Sequence, residues 1–287
     1  MVKNILAKTE KDEYNICKEG VVHLTHEEKI LLVLKRLRPI DDIFMRQMFK
    51  DNIPLIEYVL RIIMGKPDLT VIECRTQADM HRLAGARSVC LDVYCTDAAG
   101  CKYDVEVQRA SKGAAPKRAR YHSSVMDIEN LDAGEDFDRL PETYTIFITE
   151  QDVFNRGQPV YQIGSYNFTN DSIFEDGRHI LYVNGAYRGE NELGDLMHDF
   201  CCSVPEDMRC KPLQQISHKL KESEDHHNMC EIIQEVFRDE FELGNEVSKA
   251  EGKTEGEQNI LRELLSIGAI TPEIAARFMR SVPAGAQ

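Results

Sequence analysis

The stretch Leu91 to Gln108, LDVYCTDAAGCKYDVEVQ, carries Asp92, Asp104, Glu106 and Gln108 close together. Its residues read as two strands around a tight turn. Asp97-Ala98-Ala99-Gly100 suits a type I turn followed by a left-handed glycine, a common three-residue hairpin loop. That turn sets a register in which Asp97 opposes Cys101, Tyr94 faces Asp104, Asp92 faces Glu106 and Cys90 faces Gln108. Side chains alternate along a strand, so Asp92, Asp104, Glu106 and Gln108 share one face. Leu91, Val93, Val105 and Val107 share the other, which enters the core. Directly opposed side chains lie about 4.5–5.5 Å apart at Cβ. Carboxylates that close repel each other, and a bound cation relieves the repulsion. Oxygen donors suit a hard ion, Mg²⁺ or Mn²⁺, with Asp92, Glu106 and the backbone carbonyl of Val107 as ligands. Zinc fits this set less well, because no His belongs to the hairpin. The plain alternative is a solvent-facing strand whose acids are simply hydrated.

The flanking elements must hold this hairpin. THEEKILLVLKRL (25–37) reads as a helix with Thr25 and Glu28 as a capping box, ended by Pro39. A second helix starts at Asp41 or Asp42 and carries Phe44, Met48 and Phe49. LIEYVLRIIM repeats apolar residues at helical spacing and stops at Gly65. LTVIECRTQ is strand-like. KRARYHSSVMDIENLDAG reads as an amphipathic helix reaching Gly134, and TYTIFITEQDVF as a strong strand. PVYQIGSYNF and RHILYVNGAY are weaker strands. The order of helices, strands, helix and strands implies a mixed α/β core. From Asn191 onward the pattern is helical, with a Glu-Gly linker near 248–257 and two short helices after it, the second marked by Thr271 and Pro272. The expected division is a polar lead-in (1–25), a core domain (26–190), a helical extension (191–245) and a linker with short helices (246–287).

Composition narrows the classes. The chain has 287 residues with 42% apolar and 29% charged residues, as an ordinary globular protein does. No apolar run reaches the ~20 residues of a membrane helix. The N-terminus lacks an apolar signal core, and nine cysteines at irregular spacing read as reduced thiols, which points to the cytoplasm. The net charge of −14 argues against a general nucleic-acid binder. A mean hides local patches, however, and Arg109, Lys112, Lys117, Arg118 and Arg120 follow the acidic hairpin with no acid among them. Cys201, Cys202, Cys210 and His218 lack the paired short spacings of a zinc site. His226-His227 reads as part of a solvated loop.

Asp92, thirteen intervening residues, then Glu106-Val107-Gln108 resembles the core motif of PD-(D/E)XK nucleases, with Gln108 where most members have Lys. More specifically, the chain is similar to the Rpn family of recombination-promoting nucleases, also described as PD-(D/E)XK transposases, which show an E-x-Q ending at this hairpin. IDDIFMRQMF (40–49), KRARYHSSVMDIENLDAGEDFDRLPETYTIFITEQDVFNRG (117–157) and EGKTEGEQNILRELLSIGAITPEIAARF extend the resemblance. It implies a restriction-endonuclease-like core, a mixed β-sheet flanked by helices, with a helical C-terminal extension. The implied activity is Mg²⁺-dependent DNA hydrolysis that promotes recombination, with Asp92 and Glu106 on the metal and Gln108 positioning a water. A further acid comes from an N-terminal helix: Asp42 is favoured, and Asp41 and Glu57 remain open. Lys117, Arg118, Arg120 and Tyr121 are the expected DNA-backbone contacts. The family often has Tyr-Tyr where this chain has Tyr121-His122, which reads as variation on a helix surface. The implied partner is DNA, and the C-terminal helices could mediate homo-oligomers. The competing reading is a nuclease-fold module that binds DNA or protein without cutting.

Overall fold

A computed structural model describes residues 26–80, 89–109, 111–222, 225–236 and 264–265. The chain divides into two compact units, residues 37–224 and the pair of segments 1–36 and 225–287. Helix α1 (His26–Arg36) belongs to the second of these. The Thr25 cap expected for it lies outside the described residues, as do the Glu-Gly linker, Thr271 and Pro272.

Residues 37–224 begin with two apolar helices. In α2 (Asp42–Phe49), Phe44, Met45, Met48 and Phe49 are buried at i, i+1, i+4 and i+5, one stripe of the helix. In α3 (Ile53–Met64), Asn52 caps by accepting the Leu55 N–H at 3.3 Å, and Pro54 occupies the first turn. Full burial of each such large side chain contributes about 1.5–3 kcal/mol.

The strands follow: β1 (Val71–Met80), β2 (Val89–Asp97), β3 (Lys102–Gln108), β4 (Thr143–Thr149), β5 (Val160–Ile163), β6 (Ser165–Asn167), β7 (Ser172–Phe174) and β8 (Arg178–Asn184). Six form one sheet in the order β1-β2-β3-β4-β8-β5, while β6 and β7 pair separately. β1, β2 and β3 are antiparallel, β3, β4 and β8 run parallel, and β5 returns antiparallel on β8. Helix α4 (Pro116–Asn130) follows β3 and packs against β4. It ends at Asn130, four residues before the expected Gly134. Leu131 is extended, and the Asn130 amide turns back to the Met126 carbonyl and the Tyr94 hydroxyl, both at 2.7 Å. α5 (Glu192–Phe200) and α6 (Lys211–Glu222) complete this unit. In the other unit, α7 (His226–Val236) packs against α1, so His226-His227 opens a helix rather than lying in a loop. No helix among the described residues is long and apolar enough to cross a membrane.

The β2–β3 turn has the expected form. Gly100 has φ +87, its N–H donates to Asp97 O at 3.0 Å, and Asp97 N–H donates to Cys101 O at 3.1 Å. Asp97 Oδ1 also accepts the amides of Ala99 and Cys101, and its Oδ2 accepts the Tyr103 hydroxyl. This acid therefore belongs to the turn. The ladder has the expected register, with Tyr94 opposite Asp104 and Val93 opposite Val105.

Candidate active site where the β2–β3 ladder opens

β2 and β3 stop pairing after Val93 and Val105, so the expected pairs Asp92–Glu106 and Cys90–Gln108 fall outside the ladder. One residue further, the Asp92 amide donates not to the β3 backbone but to Glu106 Oε1, at 3.0 Å. The Glu106 carboxylate thus fills the opening between the strands. On the β1 side, Gln77 has φ +52 and falls between the pairs Thr76–Val93 and Ala78–Leu91. The pleat breaks here. Leu91, expected on the core face with Val93, instead clusters with Ala78, Met80, Tyr94 and Met126 of α4. Strict alternation fails because the strand no longer has a ladder on both sides to enforce it.

The acids are buried. Asp104 and Glu106 are 0% exposed and Asp92 is 7% exposed, so the solvent-facing alternative fails. β3 is internal to the sheet, between β2 and β4, and α4 lies across its acidic side, where Arg118 and His122 meet Glu106 and Asp104. Burial pushes the Asp92 carboxyl up to about 7; the Glu106 and Asp42 charges add to this, and Arg46 and the Val107 amide oppose it. Burial likewise raises Glu106 to about 7, with Asp104 adding and His122, the Asp92 amide and Arg118 opposing. Asp104 is held well above the usual range by burial and by the Asp92 charge. Its Oδ1 is buried with no hydrogen-bond partner.

Cations surround the acids. Arg118 Nη2 donates to Glu106 Oε2 at 3.0 Å. Arg46 Nη2 lies 3.7 Å from Asp92 Oδ1, and its Nε lies 2.6 Å from Asp42 Oδ1. Among the three N-terminal acids, Asp42 thus shares Arg46 with Asp92. Asp41 is held elsewhere: it accepts the Arg38 amide at 2.7 Å and pairs with Arg109 at 3.2 Å. Glu57 accepts the Val71 amide and pairs with Arg61.

A second network braces the strand ends. Glu150, just past β4, pairs with Arg38 at 2.7 Å and with Arg109 at 3.2 Å. Together with Asp41 these residues tie the start of α2 to the ends of β3 and β4. No sequence pattern announces this link, since its members are spread over more than a hundred positions. Gln108 closes β3 on the acidic side. Its side chain lies against Gly113, where an added Cβ would stand 1.8 Å from Oε1. The glycine provides the space for the amide.

Sequence reasoning missed His122. Expected on a helix surface, it is 3% exposed, with Nδ1 3.0 Å from Asp104 Oδ2 and 3.8 Å from Glu106 Oε1. The inward stripe of α4 is Ala119, His122, Ser123 and Met126, at i, i+3, i+4 and i+7. That spacing is the signal that could have found it. Lys117, Arg120 and Tyr121 occupy the exposed side of the same helix. The Val107 side chain is buried on the opposite face of β3 from the acids, and its amide contacts the Asp92 carboxylate.

The residues present suit a divalent cation. Three buried carboxyls with raised pKa values, one bearing an unpartnered oxygen, form an oxygen-rich set whose burial Arg118 and Arg46 do not offset. Ligand atoms of Asp104, Glu106 and His122 also lie within 4.8 Å of one another, a group that could hold an ion.

The model of the PD-(D/E)XK nuclease family transposases matches residues 43–186, half of the chain. The chain belongs to this family. The match begins in α2 and ends just beyond β8, so it spans the whole six-stranded sheet. The mixed sheet flanked by helices is consistent with a PD-(D/E)XK fold, and membership supports a nuclease-like function. No curated protein and no solved structure matches the chain.

Proposed function

We propose that this PD-(D/E)XK family member is a Mg²⁺-dependent DNA endonuclease with Mn²⁺ as a substitute ion. The observation that carries the reading is the open ladder at Asp92 and Glu106, where two buried carboxyls with raised pKa values meet within reach of Arg118. Asp92 and Glu106 would hold the ion, with the Val107 carbonyl as a further donor. When bound, such an ion lowers the pKa of a water and stabilises charge on a phosphate. Gln108, seated over Gly113, positions the attacking water through its amide. The water oxygen attacks phosphorus and gives up a proton to solvent, a P–O ester bond breaks, and the departing oxygen takes a proton from solvent. Asp42, linked to Asp92 through Arg46, completes the acidic set. Lys117, Arg118, Arg120 and Tyr121 hold the DNA backbone. A role in recombination and a reduced cytoplasmic setting go with this reading. Self-association through residues 248–287 is the accompanying expectation, checked by sizing the chain with and without them.

The test is nicking of supercoiled plasmid with Mg²⁺ or Mn²⁺ and with EDTA. Cleavage should require the ion and vanish in Asp92→Ala and Glu106→Ala. Variants that cut as fast as the parent would remove the site assignment. Gln108 and the net charge of −14 favour a second reading, a non-catalytic binding module. Calorimetry showing no Mg²⁺ or Mn²⁺ binding would select it.

A further inference from the structure

Arg118 is held by more than its helix. Its Nη2 donates to Glu106 Oε2 at 3.0 Å and its Nε donates to His122 Nε2 at 3.2 Å, one helical turn on. An arginine nitrogen only donates, so His122 Nε2 accepts and the ring proton sits on Nδ1. That Nδ1 faces Asp104 Oδ2 at 3.0 Å, and Asp104 is fully buried in the middle of β3. Arg118 thus donates to Glu106 on one side and to His122 on the other, His122 donates on to Asp104, and the four groups form one chain anchored in the sheet at both ends. Each bond fixes the orientation of the next group. The Arg118 side chain is still 41% exposed, so the rest of its fork faces the solvent from which a phosphate would arrive. Gln108, on the same strand, carries no charge.

We infer that Asp104 and His122 are positioning residues for Arg118, and that Arg118 supplies at the scissile phosphate the positive charge that Gln108 lacks. A planar guanidinium with two of its N–H groups already engaged is pre-oriented to present the others to phosphate oxygens. The tautomer requirement makes His122 specific. A ring that donated from Nε2 would turn Arg118 away from Glu106. Of the common side chains, Gln reproduces the pairing best, with an amide N–H toward Asp104 and an amide oxygen toward Arg118.

This inference rests on the nuclease reading, and the experiment separates the two. Single-turnover plasmid nicking with Mg²⁺ and DNA affinity would be measured for the parent, His122→Phe, His122→Gln, Arg118→Ala and the Arg118→Ala/His122→Phe double variant. His122→Phe should cut on the order of tenfold to a hundredfold more slowly with DNA affinity almost unchanged. His122→Gln should keep most of the rate, and the double variant should be no slower than Arg118→Ala alone. In the metal-free parent, ¹⁵N spectra should show an unprotonated His122 Nε2 and an ordered Arg118 Nε–H signal, the latter lost in His122→Phe. Effects that multiply in the double variant, the opposite His122 tautomer, or a His122→Phe change confined to Mg²⁺ affinity would each overturn the inference. A parent that cuts no DNA with either ion overturns the nuclease reading and the role given to Arg118. The His122 tautomer and the ordered Arg118 Nε–H of the parent then still decide the positioning, and these do not require the Phe variant to fold.

Discussion

At the scale of single residues, the acids of β2 and β3 are governed by burial more than by number. Asp92 and Glu106 have pKa values raised from 3.8 and 4.5 to about 7. Between about pH 4 and 7 the folded chain therefore holds protons that the unfolded chain has released. Stability falls as pH rises through that window and is fully present below it. In EDTA, the melting temperature should drop between pH 5 and pH 8. Mg²⁺ or Mn²⁺ should raise it more at pH 8, because carboxylate ligands must be deprotonated to bind. A metal-free melting temperature that climbs over this range would contradict the burial argument. Asp92→Asn removes one of two repelling charges. It should melt no lower than the parent at pH 8 in EDTA while losing plasmid nicking, as denaturation curves and a nicking assay would show.

At the scale of elements, two glycines fix where the chemistry sits. Gly100 closes the β2–β3 turn at φ +87, a conformation that costs a residue with a Cβ about 1–2 kcal/mol. Gly100→Ala should lose stability of that order in urea denaturation. Gly113 acts differently. The atoms nearest to a Cβ there belong to the end of the Gln108 side chain, which can shift, so Gly113→Ala should change stability by less than about 1 kcal/mol. It displaces the Gln108 amide, however, and nicking should slow on the order of tenfold or more. Equal losses of stability and rate would mean that Gln108 has no special position to keep. The turn was legible in the sequence because its rules are local: Asp97 and Gly100 alone specify it. Gly113 was not, because its need arises from a side chain five residues away that reaches it only when β3 and the following turn are folded.

At the scale of the whole molecule, an acidic chain must bind an acidic polymer through a small basic surface. Lys117 and Arg120 stand on the exposed side of α4, the helix whose Arg118 reaches Glu106. DNA affinity should fall steeply with salt. Lys117→Ala or Arg120→Ala should each lower the slope of log affinity against log salt by about 0.9, one phosphate contact, across unrelated DNA sequences. An unchanged slope in both variants would move the DNA path away from this helix.

The sequence by itself determined the hairpin, its register to Val93 and Val105 and the α/β alternation. All of these follow from short-range rules of turn geometry and periodicity. Tertiary structure alone decided what those residues experience. It buried the face that alternation left to solvent, because α4 closes over the acidic side of β3 with Arg118 and His122. It broke the pleat at Leu91, where the ladder opens. It turned His122 inward onto Asp104 and Arg118 onto Glu106, and it committed Asp41 to Arg38 and Arg109. Burial and pKa depend on which distant elements pack together. A pattern of neighbours along one strand carries no information about what will lie above it.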